Sequence, residues 1–379
     1  MVGVGVLQEL LMTHRPSDSF YVYDLNVLTQ AYEEWKRAFP TVTPYYAVKC
    51  NPDPVLVKHL AGLGSSFDCA TPAEFNLVLE LGVETERIIY ANPCKRSQDI
   101  SLAIKKNVKR TTFDSVCELQ KIALAGGMEV LLRIRADDPG ARCNLGNKYG
   151  AEEEDWPELM GVCSRLGLNL VGISFHVGSM ASSAEAFVEA LAKAHRAVTL
   201  AKRNHFNPRI IDIGGGFSST NVFDLGPLPS MINSAITNFG SEFIFIAEPG
   251  RYFAEHVATL VTPVIGKKGR GITISESLYG AFNCVLFDHA KPDFFVLGNS
   301  DSKLETVTIF GSTCDGGDVI QKEAQVPSSI SVGNWLVWPR MGAYTSAATT
   351  RFNGIPFDTR LKIFIPVDKY RPTNRGVNS

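Results

Sequence analysis

Residues 43–50 read TPYYAVKC and are followed by Asn51 and Pro52. A short run of aromatic and β-branched residues predicts a buried strand, here over 45–49. Pro52 has no amide hydrogen to give a ladder and stops it. Lys49 then stands at the strand's C-terminal end. Desolvation disfavours an ammonium, so a lysine leaving an apolar strand can present a neutral, nucleophilic amine. Such an amine can condense with an aldehyde. Taken alone, a lysine at this point is more simply a solvated strand end, so its neighbours decide the reading.

Upstream, residues 19–25 (SFYVYDL) read as a strand. Residues 26–38 read as a helix, with Leu28, Ala31, Trp35 and Phe39 at helical spacing. Downstream, strand and helix alternate. The expected strands are 45–49, 65–70, 87–92, 111–114, 130–136, 170–178, 210–216 and 243–250, with helical periodicity over 72–82, 117–127 and 184–203. Eight strands in this order match a (β/α)8 barrel, with a doubly wound open sheet as the competing architecture. Beyond about residue 255 the apolar segments shorten and helical periodicity fades, which predicts an all-β domain. The fold class is therefore α/β plus all-β. A barrel over 26–254 is joined to a sandwich- or barrel-like β domain formed by 1–25 and 255–379. That domain takes the N-terminal strand, because the barrel's count is already full. The tail RPTNRGVNS (371–379) reads as frayed.

Bulk properties narrow the function. A chain of 379 residues predicts two domains. A formal net charge of −2 with no basic stripe argues against nucleic acid. The eight cysteines show no CxxC or CxxH spacing, so neither a disulfide framework nor a metal site is expected. Reduced thiols fit a cytoplasmic protein. The apolar run 2–6 lacks a preceding basic residue and is too short to span a membrane.

Polar residues fall near the C-terminal ends of the expected barrel strands: Lys49, Asp68, Asn92, Asp114, Arg133, His176, Asp212 and Glu248. That end of a barrel is where catalytic groups gather. Gly214-Gly215-Gly216 follows the seventh strand, where a backbone without side chains can approach an anion, and loops seven and eight are this architecture's usual phosphate site. Glu248 ends the eighth strand, with Arg251 as a second phosphate anchor. His176 can stack on a flat ring, and Ser179 can add a hydroxyl to a phosphate. A turn, a self-satisfied Glu–Arg pair and a structural histidine are the plain alternatives for each piece singly. Together they point to pyridoxal phosphate: an aldehyde for Lys49, a phosphate for the glycines and a pyridine nitrogen for Glu248.

From about residue 19 to 365 the chain resembles the eukaryotic-type ornithine decarboxylase family, within the alanine-racemase-fold pyridoxal-phosphate enzymes. The motifs that carry it are YYAVKCN, FDCA, RIIYANPCK, SFHVGS, DIGGGF, AEPGRY, YGAFNCVLFDHA, TCDGGD, MGAYT and FNG. The resemblance implies that Lys49 holds the cofactor covalently, with Asp68 close by, His176 on the ring and Glu248 on its nitrogen. It implies that Ser179, Gly214, Gly215, Gly216, Arg251 and Tyr344 hold the phosphate, with Arg133 and Gly250 also at the cofactor. It further implies a homodimer with shared sites. Cys314 would protonate the substrate carbon in the partner's barrel, and Asp315 and Asp288 would hold the distal amine. Phe287 and Phe352 would line that end, and Lys148 and Asp318 would pair across the interface.

Met180 stands where glycine is usual, Ser312 replaces a proline, and Phe287 replaces a tyrosine. Arginine-using viral relatives carry glutamate at the position of Asp288, and lysine-using plant relatives carry histidine at that of Phe352, so both residues favour ornithine. The expected reaction is decarboxylation of L-ornithine to putrescine in polyamine synthesis. The alternatives are a decarboxylase of lysine, arginine or diaminopimelate, a racemase, or a non-catalytic regulatory homologue. An antizyme-like protein inhibitor is a partner that the sequence leaves undetermined.

Overall fold

The computed structural model describes residues 2–218, 225–298 and 303–367. The chain divides into two compact units, Ala31–Ala254 and Met1–Gln30 with Glu255–Ser379. Strands are numbered in chain order. The first, β1 (Phe20–Asp24), belongs to the second unit.

Among the described residues, the first unit closes into a parallel barrel of β2 (Val42–Ala47), β3 (Ser66–Cys69), β4 (Ile88–Tyr90), β5 (Arg110–Phe113), β6 (Glu129–Arg133), β7 (Asn169–Ser174), β8 (Ile210–Asp212) and β9 (Ile244–Ala247). Neighbours pair in sequence order, and β9 returns to β2 through Val42↔Phe245. Tyr45, Ile89, Leu131 and Ile210 come from alternate strands and pack in one buried cluster, so side chains fill the barrel's interior. Helices lie between most strands. Pro54–Leu63 starts on Asp53, whose carboxylate accepts from the Val55 N–H at 2.9 Å, and ends on Gly64 at φ 103°. Ala184–Arg203 spans the expected residues and is capped by Ser183.

One expectation needs correction. β2 ends at Ala47, and Lys49 lies on the 3-10 turn Val48–Cys50. The Asn51 N–H bonds to the Val48 carbonyl at 3.1 Å and the Tyr46 hydroxyl to the Asn51 carbonyl at 3.0 Å, so the chain turns before Pro52 is reached. His176 and Glu248 likewise follow their strands instead of ending them.

The second unit is a mostly antiparallel eight-stranded sheet of β1 with β10 (Ala258–Lys268), β11 (Gly271–Ile274), β12 (Phe295–Val296), β13 (Leu304–Phe310), β14 (Val319–Pro327), β15 (Trp335–Trp338) and β16 (Leu361–Ile365). As expected, β1 joins it. It runs antiparallel to β10 and parallel to β16. Two elements were not legible in the sequence. β14 carries exposed Lys322, Glu323 and Gln325, which dilute its alternation. The helix Val4–His14 opens on the apolar run at 2–6 and drops Leu7 into a cluster with Phe20, Val22, Val261 and Val337. The tail at 371–379 lies outside the described residues. Among the described residues, no helix is long and apolar enough to cross a membrane.

Candidate active site

Lys49, Asp68, Arg133, Asp212 and Glu248 lie at or just beyond the C-terminal ends of the barrel strands. Lys49 Nζ lies 2.9 Å from Asp68 Oδ2, with the lysine 41% exposed and the aspartate buried. The amine is thus ion-paired instead of enclosed by apolar walls, which differs from the sequence expectation. Asp68 Oδ1 is buried without a hydrogen-bond partner. Glu74 stands near both groups, and burial pushes its carboxyl up to about 7.

Glu248 and Asp212 form a buried acid pair. Burial first, then the Asp212 and Asp68 charges, raise Glu248 well above the usual carboxylate range, against the pull of Lys49 and Arg133. Burial pushes Asp212 from 3.8 up to about 7. The site therefore presents excess carboxylate that favours a cation.

His176 is neutral for two reasons. Desolvation lowers it well below 6.5, and the Arg133 and Lys49 charges push the same way. Its Nδ1 also accepts from the Gly178 N–H at 3.0 Å, which leaves the proton on Nε2. Arg133 itself lies over the Tyr149 ring, 4.9 Å from its centre.

The glycine triplet is wedged against this histidine. A Cβ on Gly214 would meet the Phe175 carbonyl at 2.1 Å, and one on Gly215 would meet His176 Nε2 at 2.7 Å and the Glu248 carbonyl at 2.9 Å. Gly214 and Gly216 adopt φ 66° and 107°. Gly250 packs on the lysine turn, where a Cβ would reach Cys50 Cβ at 2.9 Å. Arg251 is buried at the start of the helix Arg251–Ala254. The Ser179 N–H bonds to the Cys143 carbonyl at 2.9 Å, and the Ala181 N–H to the Gly216 carbonyl at 3.0 Å. Met180, between them, sits at φ 53°, a region glycine enters more readily. Asp138, which the sequence reading passed over, anchors this loop by accepting from Ser182 Oγ at 2.9 Å and the Ser183 N–H at 3.2 Å.

The remaining candidates lie in the second unit. Cys314 Sγ is 3.3 Å from Asn353 Oδ1, and Asp315 Oδ2 accepts from the Tyr279 hydroxyl at 2.7 Å. The Gly317 N–H first, and then that hydroxyl, hold Asp315 below the usual carboxylate range. Phe352 stacks on Tyr279 with centres 4.1 Å apart. Cys314, Asp315 and Phe352 are thus brought together by Tyr279 and Asn353. Both lie in quoted motifs, but only partner contacts reveal their part. Asp288 is buried at the C-terminal end of the helix Asn283–Phe287, while Phe287 is 75% exposed. Tyr344 is half-buried at φ 55°. Asp318 is buried and accepts from Ser277 Oγ, the Leu278 N–H and Thr313 Oγ1 within its own chain.

The acid pair makes a pH prediction. In the cofactor-free protein the folded state binds more protons than the unfolded chain between 3.8 and about 7. Its contribution to stability is full below that window and is lost as pH rises through it. Asp212→Asn should flatten this fall in the urea midpoint. An unchanged slope would show that Asp212 does not carry the proton.

Comparison with known proteins adds an independent line. Residues 25–255 match the family described as pyridoxal-dependent decarboxylase, pyridoxal binding domain. The chain is 41% identical over 354 residues to the chloroplastic ornithine decarboxylase of Nicotiana glauca, covering 88% of this chain and 81% of that one. It is 41% identical over 361 residues to the ornithine decarboxylase of Caenorhabditis elegans, covering 89% and 85%. The agmatine-bound arginine decarboxylase of Paramecium bursaria Chlorella virus has a similar structure, with a TM-score of 0.92, 37% identity, and coverage of 96% of this chain and 100% of that one.

Proposed function

Since the chain belongs to the pyridoxal-dependent decarboxylase family, we propose that it is an ornithine decarboxylase, converting L-ornithine to putrescine and CO2 with pyridoxal phosphate. The observation that carries this reading is the set of groups on one face of the barrel. They are the Lys49–Asp68 pair, a neutral His176, the glycine cradle and the Glu248–Asp212 acids. These residues fit the cofactor. The orphaned Asp68 Oδ1 and the crowded, side-chain-free glycines are hard to account for as packing alone.

When bound, pyridoxal phosphate supplies an aldehyde and a ring that accepts the electron pair left when CO2 departs. The barrel, taken as residues 26–254, does the holding. Lys49 Nζ is the point of covalent attachment, and Asp68 orients it and can take its proton. His176 offers an uncharged flat face. Glu248 stabilises a positive ring nitrogen. Gly214, Gly215, Gly216, Ser179, Arg251 and Tyr344 hold the phosphate, with Arg133 and Gly250 beside them. From the second unit, Cys314 Sγ delivers the proton to the substrate carbon, and Asp288 and Asp315 hold the distal ammonium, whose desolvation demands a counter-charge. Phe287 and Phe352 bound that end. Delivery occurs across a homodimer with shared sites, in the cytoplasm, as a step of polyamine synthesis.

The test is CO2 release from L-ornithine, L-lysine, L-arginine and meso-diaminopimelate with added cofactor. Ornithine is expected to dominate. Dominance of another substrate would keep the chemistry and overturn the reading of Asp288 and Phe352. Silence on all four would overturn the function.

A further inference from the structure

Behind the Tyr279–Asp315 contact lies a buried ion pair that the proposed chemistry does not use. Glu276 is fully buried, and its Oε2 accepts from Arg360 Nε at 3.2 Å. Its Oε1 accepts from the Ser277 and Ala281 N–H groups, each at 3.1 Å. A Cβ on Gly280 would lie 1.9 Å from that oxygen, so the carboxylate fills the turn that carries Tyr279. The Glu276 backbone carbonyl accepts from the Ser312 N–H at 2.9 Å, at the head of the loop that carries Asp315. One residue therefore grips both segments that meet at the 2.7 Å contact between the Tyr279 hydroxyl and Asp315. Arg360 completes the grip by donating to the Ser275 carbonyl at 2.8 Å and pairing with Asp18.

A buried ion pair is weak as a source of net stability, because desolvation offsets most of its attraction. What it supplies here is fixed geometry around a site. We infer that Glu276 and Arg360 are positioning residues that set Asp315 through Tyr279, and so govern how tightly and selectively the substrate's distal amine is held. The inference rests on the ornithine reading. Neither residue is assigned a contact with substrate or a part in the chemistry.

Glu276→Gln keeps an acceptor for the two N–H groups and removes the charge facing Arg360. The KM for L-ornithine is expected to rise about fivefold, kcat to stay within about twofold, and the preference for ornithine over lysine to fall about threefold. A merely structural role would lower thermal stability or the active fraction and leave KM and preference at native values. That result overturns the inference. Should Glu276→Gln fail to fold, Arg360→Lys decides by the same criteria, because it keeps the buried charge but loses the fork to Glu276 and Ser275. The native enzyme is assayed alongside. Native activity with an unmoved variant KM sinks the inference alone, whereas a native enzyme silent on all four amino acids sinks the function and this inference with it.

Discussion

Replacing Lys49 by alanine is expected to lower CO2 release from L-ornithine by about four orders of magnitude, even at saturating pyridoxal phosphate. The amine sits on a turn that packs on Gly250 and lies 2.9 Å from Asp68. Lys49 is partly exposed, so its removal leaves no void in the core. The Lys49→Ala protein should fold, as circular dichroism would show. It should still retain cofactor through the glycine cradle, yet lose the visible absorption of covalently held pyridoxal. Full activity in this variant would remove Lys49 from the chemistry.

The next largest effect is expected at Glu248. Glu248→Gln preserves size and should lower kcat by about 10²- to 10³-fold, because an amide cannot balance a cationic ring nitrogen in a dry site. Burial and the neighbouring Asp212 charge disfavour an ionised Glu248 when nothing cationic faces it. A bound cation reverses that preference. The measurement is single-turnover CO2 release at saturating ornithine, with cofactor occupancy determined separately. A kcat within about threefold of native, at full occupancy, would remove Glu248 from this role.

The barrel was legible because most of its strand residues are buried and read as apolar runs, such as Ile88–Tyr90 and the stretch from Phe245 to Ala247, punctuated by polar strand ends. The same signal placed Lys49 one element too early. A tight turn held by Tyr46 and Asn51 leaves no mark in hydrophobic periodicity. Asp68, His176 and the glycines could be picked out because charge or missing side chains near an apolar strand is unusual. Tyr279 and Asn353 could not, because an aromatic in a loop and an asparagine in a turn have ordinary structural uses. Their partners, Asp315 and Cys314, lie 36 and 39 residues away. The in-chain donors to Asp318 likewise leave no mark in the sequence, because Ser277 and Leu278 lie 41 and 40 residues away.

The seat of β1 bears on how the chain matures. Phe20 pairs with Val261 on one side and Leu361 on the other, so β1 acquires its neighbours only after the whole barrel and then β16 have been synthesised. The barrel can close from contiguous sequence as it leaves the ribosome. The sheet cannot, and pairing between segments this far apart in sequence is slow as a rule. A nascent chain would thus pass through a stage with a finished lysine face and an exposed, apolar β1 awaiting both partners, and that interval is when chaperone protection matters most.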